Sequence, residues 1–179
     1  SARDYVFFAT CANTGLRLCE VAHIKRDDIL KADQLRITRR KKKVLQPTVI
    51  DIGPALSALL NEWAQMFDGY LFPGHAKPCV IPRSRKGVRL PDEQVCGGGH
   101  ISLRVLQRDW ALVVAEAGLR MYGRGIHSTR HHAISEFYDK HRDLRACQLF
   151  AGHSNSAITE RYASVRDMRD KINAMEAVL

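Results

Sequence analysis

The residues best equipped for chemistry are concentrated in the C-terminal third of the chain. His127 and Arg130 stand three apart in His127-Ser128-Thr129-Arg130-His131, a spacing that puts both on one face at a helix start. Gly152-His153 follows 23 residues after Arg130, and Tyr162 comes nine residues after His153. Far upstream, Thr14-Gly15-Leu16-Arg17-Leu18-Cys19-Glu20 adds a second arginine at the opening of a helix. Two arginines, two histidines and a phenol suit attack on a phosphodiester. The non-bridging oxygens gain negative charge as the nucleophile approaches, and an arginine fork grips two of them where a lysine offers a point charge. Two such forks can take over the electrostatic work of a metal ion. A phenol with an ordinary pKa of about 10 is largely protonated at neutral pH, so it needs neighbouring cations and a proton acceptor before it can attack. His127 or His153 could serve in either respect.

Other phosphodiester chemistries lack their residues. No group of Asp and Glu has the spacing that holds the ions of a metal-dependent nuclease, and Asp27-Asp28 reads as a pair of turn caps. No G-x-x-x-x-G-K phosphate loop occurs. His127 and His131 have the i, i+4 spacing of a metal pair, but no further ligand stands near them in sequence. The expectation is therefore chemistry with no metal and no nucleotide cofactor. The charge balance fits a polyanionic partner: 28 Lys and Arg against 19 Asp and Glu give a formal charge of +9. A solvated basic face or an anionic membrane surface would account for the total equally well, but the charge gathers at 36–43, 83–89 and 120–130, beside segments that read as turns or loops. The run at 83–89 is read as a solvated loop or, with equal weight, as a contact to the DNA backbone. Five cysteines, an odd number with no C-x-x-C pair, read as free thiols in a reducing compartment. No run approaches the roughly 20 apolar residues of a membrane span, and no signal peptide opens the chain, so a cytoplasmic protein is expected.

The elements that must position these groups follow from periodicity. A helical pattern opens the chain through Tyr5-Val6-Phe7-Phe8-Ala9, Thr14-Gly15 breaks it, and 16–22 resumes a helix. Between 29 and 52 the period shifts towards two, which predicts a small antiparallel sheet with its hairpin tip at 39–43. Pro54 suits the first turn of a helix whose apolar face is Leu56, Leu59, Leu60, Trp63 and Phe67. Residues 73–100 hold four of the six prolines and read as a long connection. Helical periods return at 101–118, 128–140, 143–151 and 155–163, and Val165, Met168, Ile172, Met175 and Leu179 draw a narrow apolar seam at the end. With 179 residues and 45% hydrophobic content, one compact domain is expected over 1–179. The absence of an initiator methionine reads as a piece of a longer chain.

The stretches T-G-L-R-x-x-E, H-x-x-R-H, G-H and a Tyr nine residues on, in this order and with these gaps, resemble the boxes of the tyrosine recombinase (phage integrase) family over essentially the whole chain. That resemblance implies a mainly α catalytic domain with a small antiparallel sheet near the N-terminal third. It implies that Arg17 and Arg130 clamp the scissile phosphate of double-stranded DNA, that His127 and His153 hydrogen-bond its oxygens, and that Tyr162 attacks it. Glu20 falls at the family's acidic position, where it would orient catalytic groups. A hairpin lysine would protonate the leaving 5′ oxygen. Setting Val49-Ile50-Asp51-Ile52 as the returning strand places Lys43 there, with Lys42 and Lys41 one and two residues away; alternation of strand faces lets only some of the three point inward. The family also implies a homotetramer on paired DNA sites, and an N-terminal clamp domain absent from this chain; the 165–179 seam either packs on its own core or docks on a neighbouring subunit, the second being favoured when DNA is bound. A type IB topoisomerase-like enzyme and a DNA-binding module without catalysis are the alternatives.

Overall fold

The computed structural model describes residues 1–41, 44–74, 99–122, 125–153 and 155–161, the side chains of 40–46 excepted. Helix α1 (Ala2–Thr14) opens with a capping box in which the Ser1 hydroxyl accepts from the Asp4 amide while the Asp4 carboxylate reaches back. It stops at Gly15, whose φ of 61° is the left-handed conformation that a side chain resists. The chain then turns through an extended Arg17 into the short α2 (Leu18–Ala22). A 3-10 turn (Arg26–Asp28) leads to a sheet of three antiparallel strands in sequential order, β1 (Ile29–Leu30), β2 (Gln34–Lys41) and β3 (Val44–Asp51). Pro54 begins α3 (Pro54–Ala64) as its residue type favours. Then come α4 (Leu103–Glu116), α5 (Ser128–His141) and α6 (Leu144–Ala151), and a further helical stretch occupies 156–161.

The main core gathers Phe7 and Cys11 of α1, Val21 of α2, Leu35 and Ile37 of β2, Leu60 of α3 and Leu106 of α4. Each fully buried side chain of this size contributes about 1.5–3 kcal/mol relative to exposure. A second, smaller cluster joins α5 to α6 through Ile134, Tyr138, Cys147 and Ala151, with the Phe137 and Phe150 rings stacked 4.4 Å apart at its edge. The mainly helical architecture with one small sheet is the one expected from the sequence.

Two local expectations need correction. The strands run further than the alternation suggested: Arg39 and Arg40 belong to β2, paired with Gln46 and Leu45, so 39–41 is ladder rather than hairpin tip. Backbone pairing continues past the last apolar residue of β2, although the polar sequence alone reads as a turn. Helix α3 ends at Ala64, so Phe67 packs on Trp63 from beyond the helix, at a ring separation of 5.3 Å. The Lys42–Lys43 pair, most of 73–100 and the terminal seam at 165–179 lie outside the described residues. Cys11 and Cys147 are buried free thiols and Cys19 is an exposed one. Among the described residues no helix is long and apolar enough to cross a membrane.

Candidate active site

Arg17 is placed by the break that precedes it. Gly15 ends α1 in the left-handed region, and Arg17 caps α2 from an extended conformation, with φ of −73° and ψ of 148°. Glu20, three residues on and buried, closes a loop of bonds around it. Its Oε2 accepts from the Arg17 amide at 2.7 Å, and its Oε1 accepts from Arg17 Nη1 at 3.0 Å. One carboxylate thus caps the helix and fixes the direction of the guanidinium. The Arg17 side chain remains 43% exposed, open to an anion from solvent.

Arg130, on the first turn of α5, reaches across to both of the other motifs. Its Nη1 donates to the Gly15 carbonyl and its Nη2 donates to the Ala151 carbonyl, the latter at 2.7 Å. The two bonds fix the guanidinium plane and tie the turn that carries Arg17 to the end of α6 that carries His153. Gly15 is further constrained by Phe150, because a Cβ there would stand 2.9 Å from the ring's Cε1. That is closer than side-chain carbons approach, so the second glycine requirement is one of space.

His153 follows Gly152, the left-handed C-cap of α6 with φ of 64°. Its amide donates to the Gln148 carbonyl at 3.1 Å, and its Nδ1 is hydrogen-bonded to the hydroxyl of Thr159 at 2.9 Å. Thr159 is 1% exposed, so this partner is held rigidly by the 156–161 helical stretch. The His153 imidazole is pushed down to about 4 by burial first, then by the charges of Arg130, Arg17, Arg39 and His131. A neutral ring with Nδ1 engaged by Thr159 directs its chemistry through Nε2.

Arg39 completes the group. Its Nη2 donates to the Phe150 carbonyl at 3.3 Å, and its guanidinium lies so close under Gly152 that a Cβ there would overlap it. Burial, its first influence, lowers the Arg39 pKa, and the neighbouring Glu20 and Arg17 act on it in opposite directions. The structure brings Arg17, Glu20, Arg130 and His153 together and adds Arg39 and Thr159, which sequence reasoning did not single out. His127 sits apart in character. It is the exposed N-cap of α5, and its influence falls on His131, whose pKa burial lowers first, with the charges of His127 and Arg130 adding to it. Tyr162, Lys42 and Lys43 lie outside the described residues, and Lys41 ends β2.

Three cationic forks and a neutral imidazole are thus gathered around two glycine turns on this fold. A solved XerH site-specific recombinase in a post-cleavage complex with its difH substrate superposes with a TM-score of 0.67 at 22% identity, over 97% of this chain and 45% of that one. A XerA recombinase structure gives 0.64 at 18% identity, over 96% of this chain and 58% of that one. The tyrosine recombinase XerC of Chromobacterium violaceum is 30% identical over 164 residues, covering 92% of this chain and 48% of the relative. The model of the phage integrase family matches residues 1–169, and the chain belongs to that family. It spans about half the length of the curated relatives it matches, 48% and 49% for the XerC proteins of Chromobacterium violaceum and Shewanella amazonensis.

Proposed function

We propose that this chain is the catalytic domain of a tyrosine recombinase that cuts and rejoins double-stranded DNA at specific sites. The observation that carries the reading is the convergence of Arg17 and Arg130 on His153, whose ring their charges help to keep neutral, with Arg130 bonded to the Gly15 carbonyl just before Arg17. In this scheme the scissile phosphate lies between the two guanidinium groups, which neutralise the charge that grows on its oxygens. His153 Nε2 donates to a non-bridging oxygen, and His127, the exposed N-cap of α5, is assigned the role of second imidazole. The Tyr162 oxygen attacks phosphorus, forming the tyrosyl ester at the 3′ end as the bond to the 5′ oxygen breaks. A hairpin lysine, Lys43 in the register adopted, hands that oxygen its proton, leaving a free 5′-hydroxyl. Religation is the reverse step with a 5′-hydroxyl from a partner strand. The phosphotyrosyl link keeps the energy of the bond, so the scheme calls for no cofactor.

The XerH relative was solved on its DNA substrate, which supports duplex DNA as the partner here. We place the whole of 1–179 in this catalytic unit, as part of a longer protein that acts inside the cell. We also propose that the protein works as a homotetramer on paired sites through 165–179. A nicked suicide substrate tests the reading directly, because strand loss after cleavage traps the covalent complex. Wild-type protein should become attached, and Tyr162→Phe should lose attachment while binding DNA nearly as well, since only the nucleophilic oxygen is gone. An adduct that persists in Tyr162→Phe and maps to another residue would reject the assignment. Relaxation of supercoils by a monomer, without exchange between sites, would favour the topoisomerase-like alternative.

A further inference from the structure

We propose that Arg39 is a positioning residue for strand cleavage, holding the Gly152–His153 turn against Arg130 through a guanidinium packed beneath it. The inference rests on the recombinase reading for its catalytic consequence and on geometry alone for the contact. Along β2 the side chains alternate: Leu35 and Ile37 are buried, Arg36 and Thr38 are exposed, and Arg39 returns to the inner side with its Nε buried. That Nε has no hydrogen-bond partner among the described residues. A buried donor without a partner costs about 1–3 kcal/mol, so a structural role alone leaves the choice of arginine unexplained. A methionine or leucine would fill the same space at lower cost.

The guanidinium contributes two things that an apolar side chain lacks. It caps α6, since Nη2 donates to the Phe150 carbonyl at the negative end of the helix, one residue before the Ala151 carbonyl that Arg130 takes. The last turn of α6 is therefore held from two sides, by β2 and by α5, and His153 leaves it in a single direction. It also adds a fixed charge to the surroundings of His153. Among the described residues, the charged and titratable groups that act on that ring are Arg17 beside α2, Arg39 from β2, and Arg130 and His131 from α5, with Thr159 bonded to it from the 156–161 stretch. All four charged or chargeable neighbours oppose its protonation. A Cβ at Gly152, already strained at a φ of 64°, would displace this guanidinium from its place under the turn.

The test uses the full-length protein and two independent readouts. The His153 ring is titrated by NMR without DNA, in wild type and in Arg39→Gln, which keeps a planar polar group and removes the charge. The midpoint should move up by about half a unit or more. An unchanged midpoint overturns the proposal, and because no DNA is present this result is independent of whether the protein is a recombinase. Single-turnover cleavage is then measured for Arg39→Ala, Gly152→Ala and the double variant. Arg39→Ala should lose between about tenfold and a hundredfold in rate, with DNA affinity kept within about twofold. The double variant should be no slower than Gly152→Ala alone, since the clash and the contact involve the same atoms. Rates that fall by the product of the two single losses would show that Arg39 and Gly152 act separately, against the proposal. Arg39→Lys serves as the second variant: it keeps the charge, so the His153 midpoint should stay near the wild-type value while cleavage still falls. A wild-type protein that never traps DNA would defeat the recombinase reading, and the titration would still decide whether Arg39 governs the turn.

Discussion

Arg17 and Arg130 carry like charges but are held in different ways, and that difference sets what each substitution should do. Arg17 is aimed by one carboxylate, through bonds of 2.7 and 3.0 Å from its own amide and guanidinium to Glu20. Arg130 is aimed by two backbone carbonyls, so its position reports on two loops at once. Lysine in either place would keep the charge and lose the planar fork. Arg17→Lys and Arg130→Lys should each slow single-turnover cleavage by about a hundredfold or more while weakening DNA binding little, the loss expected when a preorganised donor pair to the transition state is removed. The Arg130 variant should also lower thermal stability, since a lysine cannot bridge the Gly15 and Ala151 carbonyls, whereas the half-exposed Arg17 should cost little. Near-normal rates in both variants, measured on the same suicide substrate, would make them ordinary surface arginines.

At the scale of elements, the site is built by two helix ends that stop in the left-handed conformation. Gly15 and Gly152 turn the chain by the same means, and the residue that acts comes directly after the turn or one position later. Gly15→Ala tests how much this device contributes. The left-handed conformation alone costs an alanine about 1–2 kcal/mol, and the Phe150 ring, 2.9 Å from the new Cβ, must also move. Denaturant unfolding should show a loss of about 2–3 kcal/mol, with cleavage reduced further because Arg130 loses its Gly15 acceptor. An unfolding midpoint equal to wild type would mean that the turn relaxes freely. These ends were legible in the sequence because glycine after an apolar period is a stop signal with a mechanism, whereas Glu20 was singled out only by the family resemblance. Arg39 was not legible in the same way. It opens the run Arg39-Arg40-Lys41-Lys42-Lys43, where five consecutive cations read as a solvated hairpin tip. The missed signal was parity: carrying the alternation of Leu35 and Ile37 forward by two residues puts Arg39 on the inner face. Thr159 escaped for another reason. A threonine six residues after a histidine has no signature until a second helical stretch folds back over the ring.

At the scale of the whole molecule, the excess of 28 basic over 19 acidic side chains is a statement about association, not about fold. Its distribution decides which part of it is available to DNA under the proposed function. Arg17, Arg39 and Arg130 are concentrated in the site, and Arg36 is paired with Asp28 at 3.5 Å, so part of the positive charge is already committed within the protein. The run at 83–89 supplies Arg83, Arg85, Lys86 and Arg89, which are either backbone contacts or a solvated loop. Each phosphate neutralised on a duplex adds about −0.9 to the slope of log affinity against log salt, so the number of contacts can be read from binding alone. The full-length protein carrying Tyr162→Phe suits the measurement, because covalent attachment cannot pull the equilibrium. Its affinity for duplex DNA should fall steeply as salt rises. Replacing Arg83, Arg85, Lys86 and Arg89 together with glutamine should then flatten the slope by about 0.9 for every contact removed, with thermal stability unchanged. A slope identical to that of the parent would assign the run to a solvated loop and leave DNA contact to the other two basic clusters. An affinity independent of salt in the parent itself would mean that the basic surface meets something other than a phosphate backbone.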